Sequence, residues 1–186
     1  MNNKIKPENI DDIVASMKEL EIKIEIDESN SRSPKYYINK RQIDESEFRN
    51  EIISRNVAYY AKIKEVRDFI KKIQRDTISK IPNMVIEGRD IGTEICPEAE
   101  LKVYLTSDVE ERARRRYLEL QSRGEQVEYD QVLHDLKERD YEDQHRAISP
   151  LRIPNGAKVL DNTLLTISQQ VEQIITWYNA ILDEAR

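Results

Sequence analysis

The sequence predicts an α/β fold: a parallel sheet with flanking helices and a small antiparallel insert. Three observations predict it. Short apolar runs at residues 84–86, 101–105 and 158–160 alternate with longer stretches of helical period. Ile22, Ile24 and Ile26 alternate with polar residues, the mark of a half-buried strand with one wet face. The run Met84, Val85, Ile86 leads directly into Gly88-Arg89-Asp90-Ile91-Gly92-Thr93. Buried parallel strands carry their chemistry at their carboxyl ends, so this stretch is the point around which the chain is organised.

In chain order, Ile10, Ile13, Val14, Met17 and Leu20 fall at helical spacing after Pro7. Residues 21–27 form a strand, 28–34 a polar turn, and 35–39 the second strand of a hairpin. A helix over 44–61 uses Phe48, Ile52 and Ile53. Tyr59 and Tyr60 near its end suit either the core or stacking on a base. The next helix, 64–79, turns Val66, Phe69, Ile70 and Ile73 inward and carries Arg67. A buried strand at 84–86 and another at 101–105 follow. Ser107-Asp108-Val109-Glu110 reads as a capping box for a helix bearing Arg112, Arg114, Arg115 and Arg116 and closed by Gly124. A helix over 128–144 buries Val132, Leu133 and Leu136, with Arg139 and Asp143 one turn apart on its polar side and Arg146 continuing that line. Pro150 and Pro154 bound a loop, and a last short strand ends in Asp161-Asn162-Thr163. Ile167, Val171, Ile174, Ile175 and Tyr178 mark the terminal helix.

Composition narrows the function classes. With 186 residues the chain suits one domain with a small insert, and 38% hydrophobic residues suffice for a core. A net charge of −6 argues against nucleic acid as a partner. The lone Cys96 excludes an intramolecular disulfide and suits a reducing, cytoplasmic setting. His134 and His145 lack partners at metal-ligand spacing and read as helix-surface residues, so no metal site is expected. No apolar run is long enough to span a membrane, and no signal-peptide core is seen at the N-terminus.

Against that acidic background, the arginines of the 110–150 region stand out. Arginine binds phosphate bidentately, and several together neutralise a polyphosphate. Phosphoryl transfer needs mainly that: positioning and charge neutralisation. Arg112, Arg115 and Arg116 would suit a nucleoside triphosphate, and Arg89 and Arg146 an acceptor phosphate. Asp143 would accept from a sugar hydroxyl and Asp90 from a base amino group. The same residues also read as a salt-bridged surface, since Glu110, Glu111, Glu138, Asp140 and Glu142 stand nearby.

Several motifs occur in order: Glu87-Gly-Arg-Asp-Ile-Gly-Thr93, Glu111-Arg-Ala-Arg-Arg-Arg116, Lys137-Glu-Arg-Asp-x-x-Asp143, His145-Arg-Ala147 and Ser149-Pro-Leu151. Together they closely resemble bacterial cytidylate kinase, from about residue 5 to the end and most densely over 84–163. The resemblance implies a P-loop-kinase-like sheet. Residues 1–80 would be the remnant of the core plus a monophosphate-binding insert, and 81–186 the kinase core with an arginine-rich lid at about 110–150. It implies transfer of a phosphoryl group from ATP, with Mg²⁺, to CMP or dCMP. Arg67 and Asp90 fall where the family reads cytosine, Arg139 and Asp143 where it holds the sugar, and Arg89 and Arg146 near the acceptor phosphate. Arg112, Arg115 and Arg116 fall on the lid, and Arg89, Arg139 and Arg146 are the expected catalytic group.

Two departures stand beside it. Where the family grips the base with a Ser-Gln pair, this sequence reads Val57-Ala-Tyr-Tyr60. The four glycines, Gly88, Gly92, Gly124 and Gly156, are never followed by lysine, so the family's phosphate loop, G-x-x-x-x-G-K-[ST], is absent from these residues. The sequence therefore reads as a cytidylate kinase chain lacking its N-terminal segment and inactive alone. A separate P-loop fragment is the partner that would complete it. The alternative is a non-catalytic nucleotide-binding or interaction protein.

Overall fold

The computed structural model describes residues 9–26, 34–44, 47, 57, 59–81 and 83–184. The chain divides into two compact units, Met1–Val85 and Ile86–Arg186. Among the described residues no helix is long and apolar enough to cross a membrane.

In the first unit, helix α1 (Ile10–Lys18) starts at Asn9, whose side chain accepts a hydrogen bond from the Asp12 amide. Strands β1 (Ile22–Ile26), β2 (Pro34–Ile38) and β3 (Arg41–Ile43) make an antiparallel sheet in that order. Ile24 lies opposite Tyr36, and Tyr36 opposite Ile43, so these apolar side chains share one stripe across the sheet. The expected hairpin thus gains a third strand. The turn that makes it is Asn39-Lys40, with φ of 49° and 66°. Both central residues of a tight hairpin turn need positive φ. Asn39 supplies that readily, but lysine in place of the usual glycine hides the turn in the sequence. Helix α2 (Lys64–Ile78) packs on α1 and β1. Ile13 and Ile63 are buried, but Ile70, expected inward, is exposed. Three short strands are too narrow to cover the whole apolar stripe of α2. The helix expected over 44–61 lies largely outside the described residues; residues 47, 57, 59 and 60 are helical. Tyr59 and Tyr60 meet edge to face, with centroids 5.5 Å apart.

The strand expected at 84–86 does not form: the stretch belongs to no sheet, and Val85 is fully exposed. A strand exists through its ladder partners, and among the described residues none pairs with this stretch. The second unit continues into a turn of π-helix, Ile91–Ile95, where the sequence suggests an ordinary polar turn. The Glu94 amide donates to the Asp90 carbonyl and the Cys96 amide to the Ile91 carbonyl. Such single π turns recur at functional sites.

Strand β4 (Val103–Thr106) pairs in parallel with β5 (Lys158–Asp161), Val103 opposite Lys158 and Thr106 opposite Asp161. Helix α3 (Val109–Ser122) is capped by Asp108, not by Ser107 as the capping box suggests. The Asp108 carboxylate accepts from the Glu110 and Glu111 amides at 2.8 and 3.2 Å. A carboxylate also meets the positive end of the helix dipole, which a hydroxyl does not. Gly124, at φ 79°, ends the helix: its amide donates to Gln121 and that of Glu125 to Leu120. Helix α4 (Tyr129–His145) packs on α3. Ala113, Leu120, Val132, Leu160 and Ile95 are the buried apolar residues of this unit. Helix α5 (Ile167–Glu184) opens with a reciprocal cap between Thr166 and Gln169. Its Ile167, Val171, Ile175 and Tyr178 are exposed, against the expected inward stripe. A parallel sheet two strands wide cannot cover a stripe of that length. Leu105 and Val159 are exposed for the same reason. The architecture is α/β, with a parallel pair and a small antiparallel sheet.

Candidate functional site

The site is built where the π turn meets the end of α4. Gly92 lets the π turn lie against the loop that follows α4: a Cβ there would stand 2.7 Å from Cγ of Pro154. Arg89, just before the turn, places Nε 3.3 Å from Oδ2 of Asp143. Arg146 caps α4 and places Nη1 3.3 Å from the other Asp143 oxygen. Its Nε donates to the Ser149 carbonyl at 2.7 Å, and the Leu151 amide donates to the Asp143 carbonyl at 2.6 Å. Ser149 itself sits at φ 48° immediately before Pro150, a strained conformation for a residue in that position. Strain of this kind persists where neighbouring bonds hold it, here the Arg146–Ser149 bond.

The side chains of Asp143 and Arg146 are only 14% and 12% exposed. Among the described residues, Asp143 Oδ2 and Arg146 Nη2 nevertheless lack a hydrogen-bond partner. Arg89 is close to the former without hydrogen-bond alignment. Two guanidinium groups thus share one carboxylate, leaving an excess positive charge and a buried donor. An unsatisfied buried donor costs about 1–3 kcal/mol, which an entering anion would relieve. Arg139 lies one turn before Asp143 on α4, exposed. Asp90 precedes the π turn and is half-buried. Arg67 sits half-buried on α2 in the first unit. The structure therefore brings together Arg89, Asp143 and Arg146, with Arg139 on the same helix.

The arginines of α3 are held differently. Arg112 pairs with Asp140 at 2.8 Å and donates to the Ser107 carbonyl. Arg114 forms a two-pronged pair with Glu111, both bonds 2.8 Å. Arg115 bonds Glu111 and the Asn162–Thr163 turn. Arg116 pairs with Glu119 at 2.8 Å. The hydrogen bonds from Arg114 and then Arg115 hold the Glu111 carboxyl down to about 2. The salt-bridged surface that the sequence allows is thus present. Asp140 is one of the acids the sequence offers for that surface, and Asn162 is the partner it does not assign. Asn162 stands directly after the last apolar strand, where its position is visible in the sequence but its reach toward α3 is not. Among the described residues no cluster of three or more His, Cys, Asp or Glu could hold a metal.

Comparison with known proteins places this geometry in context. The family model for cytidylate kinase matches residues 1–180. A cytidylate kinase of Caldicellulosiruptor saccharolyticus is 35% identical over 182 residues, covering 98% of this chain and 78% of that protein. One from Caldanaerobacter subterraneus subsp. tengcongensis is 47% identical over 135 residues, 73% of this chain and 58% of its own length. One from Cupriavidus pinatubonensis is 44% identical over 133 residues, covering 72% and 60%.

Proposed function

Since the chain belongs to the cytidylate kinase family, a family of phosphotransferases, we propose that it carries the acceptor pocket and lid for phosphoryl transfer from ATP to CMP or dCMP. The observation that carries this reading is the Arg89–Asp143–Arg146 cluster, with its buried, unpaired Arg146 donor. Arg89 and Arg146 bind the acceptor phosphate and neutralise it as it attacks. Asp143 orients both arginines and, with Arg139, holds the sugar. Asp90 reads the cytosine, and Arg67, within the first unit, is the residue the family resemblance adds for base recognition. Arg112, Arg115 and Arg116 belong to the donor side. Mg²⁺, which the family resemblance implies, would supply further neutralisation of donor-phosphate charge beside these arginines.

A second reading, nucleotide binding without turnover by these residues alone, is favoured by one observation. No glycine in the 186 residues is followed by lysine, so the backbone cradle and lysine of a phosphate loop are not among them. The test is ADP release with ATP and a panel of nucleoside monophosphates, run on the chain alone and with a peptide carrying the P-loop strand of a relative. We expect CMP-dependent turnover only in the mixture, abolished when the peptide's lysine becomes alanine. Turnover at about 1–100 s⁻¹ by the chain alone would show that another element holds the donor. A folded mixture that binds CMP without turnover would support the second reading.

A further inference from the structure

Resting on that reading, we infer that Arg115 is a positioning residue: it braces the lid helix to the turn after β5 and thereby aims Arg112 and Arg116. A guanidinium has five N–H donors, and four of those of Arg115 are engaged within the protein. Nε donates to Glu111 at 2.8 Å, Nη1 to Asn162 Oδ1 at 3.1 Å, and Nη2 to the carbonyls of Asn162 and Thr163 at 2.9 and 3.1 Å. A phosphate could take this fork only by breaking most of those bonds. Arg116 differs: it has one carboxylate partner, three residues along its own helix, and 46% of its side chain is exposed.

The turn that Arg115 grips is itself tied in three directions. Thr163 donates through its amide and hydroxyl to the Asp161 carboxylate, which keeps that acid below its ordinary range. The Thr163 hydroxyl also accepts from the Asp108 amide, at the cap of α3. Asn162 donates to Gln170 on α5, and Gln170 donates back to the Leu165 carbonyl. Arg115 therefore joins α3, about two turns past its cap, to the carboxyl end of β5 and, through Asn162, to the start of α5. Arg112 and Arg116 flank it on the same helix, so a loosened brace lets both swing.

The experiment compares Arg115→Ala, Arg115→Lys and Arg116→Ala with the unaltered chain. Amide hydrogen exchange is followed over 106–116 and 160–170 without nucleotide, and ATP and CMP titrations are run beside it. Arg115→Ala should speed exchange about tenfold in both segments, and Arg115→Lys, which cannot reach all the acceptors at once, by less. Arg116→Ala should leave exchange unchanged. Where the unaltered chain binds ATP, Arg115→Ala should weaken that binding about tenfold and CMP binding less than twofold. Unchanged exchange in Arg115→Ala overturns the brace, and if ATP binding falls nonetheless, Arg115 is a direct phosphate ligand. Exchange is read without nucleotide, so failure of the kinase reading leaves the brace independently tested. If Arg115→Ala fails to fold, Asn162→Ala removes one of the same bonds and should speed exchange at 160–170; no change there overturns the brace equally.

Discussion

Arg116 lies on α3 and Arg146 caps α4, and both pair with a carboxylate three residues away in sequence. Their surroundings separate them. Arg146 is nearly buried, bonded to a strained loop and left with an unpaired donor beside a second arginine. Arg116 lies on a wet helix face with one exposed partner. An ion pair in water contributes about 0–1 kcal/mol, because solvent screens it and two long side chains must be held still. A charge held out of water must find partners, so its unpaired donor has an energetic consequence that a surface donor lacks. The contrast shows that arginines alike in sequence differ in what they can offer a ligand: only Arg146 of the two has a buried donor without a partner among the described residues.

The contrast can be broken from either side. The largest effect is expected from Arg146→Ala, which removes the Ser149 bond and one partner of a nearly buried Asp143. It should destabilise the chain by about 1–3 kcal/mol in urea unfolding. Gly92→Ala should come next. The added methyl meets the stiff Pro154 ring at 2.7 Å, whereas at Gly88 it meets the side chain of Ile91 at the same distance. We expect a loss of about 1–3 kcal/mol for Gly92→Ala and less for Gly88→Ala, where a rotamer change gives relief. A reversed order would mean that the π turn does not rest on Pro154. Asp140→Asn, at a pair 32% and 21% exposed, should cost about 1 kcal/mol. Arg116→Ala should change stability by no more than about 0.5 kcal/mol. An effect as large as that of Arg146→Ala would erase the distinction.

Glu111 sharpens the comparison through pH. Its folded value is held near 2, below the ordinary 4.5, by Arg114 and then Arg115. A depressed carboxylate stabilises the fold fully above its unfolded value and loses that contribution as pH falls toward the folded one. Glu111→Gln should therefore lower the thermal midpoint at neutral pH, with the gap to the unaltered chain closing between about pH 4.5 and 2. A constant gap would assign the effect to packing.

Much of this was legible in the sequence because local chemistry carried it. Helix periods, the Gly124 stop and the two parallel strands follow from spacing and turn residues alone. The third strand of the antiparallel sheet was hidden because Lys40 occupies a position where glycine would have announced the turn. The strand at 84–86 failed for a different reason: an apolar run states a preference for burial, and only a ladder partner converts that into a strand. The inward stripes of α2 and α5 likewise name a face but not what covers it. For the site, the motifs named Arg89 and Arg146 for the acceptor phosphate and Asp143 with Arg139 for the sugar, without showing that Asp143 pairs with both Arg89 and Arg146. They did not separate the arginine that braces from those left to meet a ligand, because that depends on which carbonyls of the Asn162–Thr163 turn come within reach of α3.

The central claim is that the Arg89–Asp143–Arg146 cluster holds the acceptor phosphate. Calorimetric titration of CMP and of cytidine against the unaltered chain and Arg146→Ala tests it most directly. CMP should bind the unaltered chain at least about tenfold more tightly than cytidine, the worth of one charge-assisted hydrogen bond or more. In Arg146→Ala that preference should shrink to near unity while cytidine binding stays within about twofold. An undiminished preference for CMP in a folded Arg146→Ala chain would contradict the claim and place the phosphate elsewhere.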